Sequence, residues 1–219
     1  NKVLITWPKT YEKDFARYMI YKSEASLNNY QLIKTYITPA DTVYIDSDVD
    51  VNNSSYCYHV IMKDTCDNYG PKGLEACTIL LKGNSIPFKH QLNWSPYNYW
   101  ESGTANYDIC RLGNESPQIK SMLTAPEDSS FLDTELDVKS GIFSYSVIAN
   151  QQVDHTYFTG GISTLAGYAQ SQSNTIELMQ KPLVYIPNAF TPNGDGVNEI
   201  WNIRDLYVKD YNLVIYDKW

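Results

Sequence analysis

The stretch YIDSDVDVNNSSYCYHVIMKDTCD, residues 44–67, aligns without a gap with FLDTELDVKSGIFSYSVIANQQVD, residues 131–154. The alignment pairs Asp46 with Asp133, Asp50 with Asp137, Tyr58 with Tyr145, Val60 with Val147 and Asp67 with Asp154. The same offset pairs Trp7 with Trp94, and each closes an alternating run, VLITW and HQLNW. RYMIYKS (17–23) then matches NYDICRL (106–112) after a slip of two residues. Self-similarity at this spacing means two copies of one fold in tandem.

Each copy is a series of short alternating segments separated by turn residues, the pattern of an all-β sandwich. Strands are expected at 3–7, 16–22, 30–36, 42–46, 56–63 and 75–81 in the first copy. In the second they are expected at 89–94, 105–111, 117–123, 130–133, 142–149 and 173–180. No long segment carries capped 3.6-residue periodicity, so helix should be scarce. The first copy lacks a segment for an initial strand, which with the absence of an initiator Met suggests part of a longer polypeptide.

The aromatic positions are specific. A Trp ends strand B (Trp7, Trp94), a Tyr stands in strand C (Tyr18, Tyr107), and strand F reads Tyr56-x-Tyr58-x-Val60 or Phe143-x-Tyr145-x-Val147. Strand alternation points the paired aromatics of strand F to one face, where they fill the gap between two sheets. Asp46 and Asp133 sit where an acid closes the turn between strands E and F through nearby backbone amides. These residues resemble the pattern of fibronectin type III domains. The resemblance implies tandem fibronectin type III or Ig-like sandwiches, one over 1–82 without its first strand and one over 83–182.

The formal charge of −8, with no run of Lys and Arg, argues against nucleic acid, which requires clustered cations to displace counterions. No apolar stretch approaches the roughly 18 residues of a membrane-spanning helix. Of four cysteines, Cys66 after strand F and Cys77 in strand G are expected to form a disulfide across the F–G hairpin. Such a bond would fit an extracellular setting. Cys57 lies between two inward-facing tyrosines and so should point outward, and no bond from it to Cys110 is expected.

Chemistry is sparse. His59, His90 and His155 are widely separated, and there is no zinc helix, Cys-x-x-Cys pair or nucleophile elbow. Cys57 and His59 share a strand face that reads as solvated. No enzyme activity and no cofactor is expected. Two features are suited to contact: Tyr97, Tyr99 and Trp100 in the B–C loop WSPYNYWESG (94–103), which either meets a partner or a glycan or folds back over its own sandwich, the reading favoured here, and the long F–G region 153–172.

After the second copy comes MQKPLVYIPNAFTPNGDGVNEIWNI (179–203). Pro192, Gly194 and Gly196 enforce tight turns, while Asn193 and Asp195 offer oxygens. On a calcium-loop register, Asn193, Asp195 and Gly196 occupy positions three, five and six. Thr191 and Asn202 stand where the first and last acids belong, so the fit to calcium is partial. A phosphate loop is excluded, since no Lys follows.

Pro187, Asn188, Phe190, Thr191, Pro192, Asn193, Gly194, Asp195, Gly196 and Asn198 match the hallmark of the gliding motility-associated C-terminal domain of Bacteroidota surface proteins. Glu199 stands for the usual Asp, and YNLVIYDKW (211–219) is similar to the family's next strand. The resemblance implies the start of a β-rich C-terminal sorting domain, incomplete over 183–219, of the type B class read by the type IX secretion system. It implies recognition by the outer-membrane translocon with a PorP-type outer-membrane partner, and delivery through the periplasm to the cell surface. The passenger would be a gliding adhesin whose sandwiches form a stalk. The alternative is a carbohydrate-binding accessory region of a secreted polysaccharide-degrading enzyme.

Overall fold

The computed structural model describes residues 2–73, 75–115, 119–152 and 169–216. All regular structure in them is β. In the first sandwich, β1 (Val3–Thr6) pairs antiparallel with β4 (Val43–Asp46), forming a two-stranded sheet. Opposite lies a four-stranded sheet, with β3 (Gln31–Tyr36), β2 (Phe15–Glu24), β5 (Tyr56–Asp64) and β6 (Ala76–Cys77) in that order.

The second sandwich repeats this plan with one more strand in each sheet. There β8 (Lys89–Trp94) lies between β7 (Leu81–Ile86) and β11 (Ser130–Asp133). The facing sheet runs β10 (Lys120–Thr124), β9 (Thr104–Gly113), β12 (Ile142–Gln151). The free side of β12 is shared by β13 (Gln170–Gln172) and β14 (Ile176–Met179).

Most strands fall close to the expected segments; the one expected at 75–81 is regular only at β6, β13 lies in a region read as loop, and two further differences have a clear physical cause. β7 was not anticipated, because its middle is Lys82, Gly83, Asn84 and Ser85, which carry no apolar alternation. It pairs with β8 from Leu81↔Trp94 to Ile86↔Lys89, so the connector between the sandwiches is 78–80, ahead of the 82/83 division read from the sequence. Gly83 allows this close approach: a Cβ there would sit 2.9 Å from Ile176 Cδ1 and 3.0 Å from Leu92 Cδ2. The segment expected as one strand at 173–180 is broken at its start. Ser173 Oγ accepts from Val147 N at 2.9 Å, and Asn174 brackets Leu81, accepting from its N at 2.7 Å and donating to its O at 3.0 Å. Side chains thus supplement the backbone ladder, which keeps Ser173 N donating to Val147 O at 2.8 Å, where the chain turns to cover β7.

The cores follow the aromatic pattern. Trp94 meets Tyr107 edge-on with centroids 5.5 Å apart, and Trp7 meets Tyr18 at 5.7 Å. Tyr107, Phe143, Tyr145, Ile109, Val147 and Leu92 are fully buried between the sheets, each contributing about 1.5–3 kcal/mol through burial.

Within each core lies a buried charge. Asp133 accepts from the Glu135 backbone N at 3.1 Å, as a turn-closing acid should. Its other oxygen receives Arg111 Nη1 at 2.6 Å and Tyr145 OH at 2.9 Å. Asp46 repeats the arrangement with Asp48 N at 3.0 Å, Lys22 Nζ at 2.8 Å and Tyr58 OH at 2.9 Å. These groups tie strands C, E and F across the two sheets. In the second sandwich His90 extends the chain: its Nδ1 lies 2.8 Å from the Tyr145 oxygen, which already donates to Asp133. The proton is therefore assigned to Nδ1. His90 Nε2 has no partner. Burial lowers the His90 pKa to about 4, with Arg111 adding to the effect and Asp133 opposing it.

Two outcomes follow. Asp133→Ala strands Arg111 inside the core and should cost about 3–5 kcal/mol in urea unfolding. Between pH 6.5 and 4 the unfolded chain takes up a proton at His90 that the folded chain excludes. Stability should therefore fall as pH drops through this window, by at most about 3 kcal/mol. His59, also lowered by burial, acts in the same direction, so His90→Gln should flatten most but not all of the slope.

Candidate functional site

The tail opens with β15 (Leu183–Tyr185), paired antiparallel with β16 (Arg204–Leu206). Between them, 186–203 form a loop held by its own side chains. Trp201 Nε1 donates to Pro187 O at 2.6 Å and closes the base. Thr191 N donates to Asn198 O at 2.8 Å, and Thr191 Oγ1 reaches Val197 O at 3.4 Å.

At the tip, Asp195 N donates to Asn193 Oδ1 at 3.3 Å, and Val197 N donates to Asp195 Oδ1 at 2.8 Å. Asn193 Nδ2 donates to Asp195 Oδ2 at 3.0 Å, and Gly196 N reaches Glu199 Oε1 at 3.2 Å. These are consecutive Asx-type turns. Gly194 and Gly196 have φ of +81° and +80° with open space where a Cβ would go, so the sign of φ alone demands glycine there. The Val197 N–H, and after it the Asn193 side chain, hold the Asp195 carboxyl below its ordinary pKa. The oxygens considered for calcium, on Asn193 and Asp195, are engaged within the loop.

Most hallmark residues thus have a local task. Thr191, Asn193, Asp195 and Asn198 carry the hydrogen bonds, Pro187 supplies the carbonyl at the base, and the glycines set the turns. Asn188, Phe190 and Pro192 are exposed. Trp201 and Glu199 complete the loop; the first was not singled out in the sequence, and the second appeared only as a substitute for Asp. The surface around the loop is apolar, with Val184, Tyr185, Ile186, Phe190, Val197 and Ile200 all exposed.

The other candidates take different places. Cys77 is bonded to Cys57, not to Cys66, which is exposed and free. The reason is hairpin register. The turn between β5 and the chain leading to β6 is centred near Cys66 and Asp67, with Lys63 bridged to Tyr69 and Cys57 directly opposite Cys77. A cysteine at the tip cannot face one well down the far arm. Cys57 does share a face with His59, but this face is covered: His59 stacks on Tyr21 at 5.0 Å and meets Tyr30 at 4.5 Å, and both Cys57 and His59 are buried. Burial raises the Cys110 thiol pKa.

Tyr97 is buried against its own core, its N donating to Tyr107 OH at 2.7 Å and its O accepting from Thr104 Oγ1 at 2.5 Å. Tyr99 and Trp100 are half-buried beside it, with ring centroids 5.2 and 4.4 Å from that of Tyr97. Tyr97 and Trp100 also line a cleft of about 570 Å³ between the sandwiches, together with β1, 76–79 and 169–174. Most of the long F–G region, 153–168, lies outside the described residues.

Comparison with known proteins bears on the tail first. Residues 184–219 match the family described as CHU_C Type IX secretion signal domain. No curated protein matches the chain. Among solved structures, the chain is similar to the FN1–FN3 domains of chicken CNTN1, at 15% identity and TM-score 0.35, covering 82% of this chain and 62% of that one. It is also similar to a two-domain fibronectin type III segment of chicken tenascin, at 13% identity and TM-score 0.29, covering 82% and 91%. The chain therefore spans less than two thirds of the CNTN1 structure. The signal in the tail marks export through the outer membrane to the cell surface or extracellular space, by way of the type IX machinery.

Such a destination is oxidising and suits the Cys57–Cys77 bridge. Alkylation of the native protein followed by peptide mapping should label Cys66 and recover Cys57 joined to Cys77. Reduction should lower stability by about 3 kcal/mol, while Cys66→Ser should leave it unchanged; a Cys66–Cys77 peptide would contradict the pairing.

Proposed function

We propose that this chain is the C-terminal region of a Bacteroidota gliding adhesin, in which the tail engages the translocon and a PorP-type outer-membrane partner. The two sandwiches are a stalk that carries a distant adhesive region and performs no catalysis. The observation that carries this reading is the tail loop. Its hallmark residues fold it through local hydrogen bonds, while Asn188, Phe190 and the apolar side chains around it face outward, available to an external receptor.

The junction between the sandwiches supports the stalk. Its connector is only 78–80, and Leu80 is fastened at both ends, its N donating to Ser95 Oγ at 2.9 Å and its O accepting from Ser95 N at 3.2 Å. Asn174 Nδ2 of the second sandwich reaches Asn52 Oδ1 of the first at 3.3 Å. A short, bonded junction restricts bending more than a free linker would. The aromatic loop favours this reading over a glycan platform, because Tyr97, the centre of the cluster, is committed to the core.

Deletion from residue 183 onward should leave folded protein in the periplasm, read by cell fractionation and by surface protease accessibility in intact cells. Arrival of the truncated protein at the surface would overturn the proposal.

A further inference from the structure

Only one residue of the described tail, 183–216, is buried: Tyr207. The groups that bury it belong to the second sandwich. Tyr207 N donates to Val138 O in the loop between β11 and β12 at 2.6 Å. Its ring lies 6.2 Å from Phe88 in the β7–β8 turn. Gly141 faces its carbonyl so closely that a Cβ on Gly141 would sit 3.2 Å from the Tyr207 oxygen. Lys209 Nζ meets Glu115 Oε1, beyond β9, at 3.2 Å.

Tyr207 takes φ of +59° and Phe88 φ of +64°. Bulky residues hold this left-handed conformation only where the surroundings over-determine it. The chain entering the tail is fixed as firmly. Gln180 is buried, donates Nε2 to Ile86 O at 3.0 Å and to Lys89 O at 2.9 Å, and accepts from Phe88 N at 3.1 Å. Its own N donates to Gly141 O at 2.9 Å. One amide side chain therefore spans the β7–β8 turn at the point where the tail departs.

We propose that the second sandwich is a built-in seat for the export signal, and that Tyr207 is the positioning residue that locks the tail into it. Among the described residues of the tail, no other side chain is buried so as to fix its orientation. What the secretion machinery meets is then a loop presented at a set place on a sandwich, not a free peptide. This inference rests on the tail being the export signal, but the docking itself does not.

The test uses the full protein with Tyr207→Ala and, from the sandwich side, Gly141→Val. Gly141 lies outside the matched 184–219, so an effect there is not loss of a direct translocon contact. Hydrogen–deuterium exchange should quicken by about tenfold or more at 183–186 and 204–209 in both variants, while β12 stays protected. Unchanged exchange in the tail would overturn the docking. Export should fall several-fold in both variants at unchanged melting of the sandwiches; looser tails with normal export would overturn the role of the seat. Normal export after deletion from residue 183 would instead remove the export reading and leave the docking to the exchange data.

Discussion

The structure depends on a buried carboxylate. In each sandwich one aspartate at the end of strand E uses one oxygen to close its own turn. The other binds a cation from strand C and a tyrosine from strand F. A carboxylate in an apolar core is costly unless it is fully partnered, so its partners must arrive together. That requirement fixes the register of three strands and the separation of the two sheets in one step. The aromatic layer built from Trp7 and Tyr18, or Trp94 and Tyr107, then fills the space so defined. The cation differs between copies, Lys22 in one and Arg111 in the other, and only the second copy adds His90. The same geometry thus accepts either cation beside the acid.

The tail follows the opposite logic. Its loop is held by small polar side chains bonding the backbone a few residues away, and most of its apolar residues are turned outward. Such a loop keeps its shape with little core beneath it. Orientation comes from elsewhere, through Tyr207 and Gln180, where the turn of β7–β8 and the loop before β12 meet the departing chain. The sandwich plan and the signal are therefore joined through the ends of strands that the buried aspartate holds in place.

Much of this was legible in the sequence, for physical reasons. Alternation and aromatic placement mark β2, β5, β9 and β12 because a two-sheet core imposes a period of two. The glycines and asparagines at 193–198 mark the loop because left-handed backbone admits few residue types. β7 was hidden because a strand packed against Ile176 and Leu92 can be Gly at its tightest point and polar beside it. The pairing of Cys57 with Cys77 was hidden because it depends on which residue heads the hairpin, and small shifts of that centre move every partner. The acid of each core was visible at its turn, but its burial was not, since Lys22 and Arg111 look like ordinary surface cations. The seat of Tyr207 left no local signal: it joins residues far apart along the chain, and nothing near Tyr207 repeats or alternates.

On this proposal the second sandwich and the tail together present the export signal of the type IX machinery. The most direct measurement fuses the region from residue 83 onward to a folded periplasmic reporter in a cell that possesses this machinery. Reporter activity is then compared outside the cell and in the periplasm, against a fusion to 83–182. The longer fusion should appear at the surface or in the medium while the shorter one stays in the periplasm. Equal retention of both would contradict it.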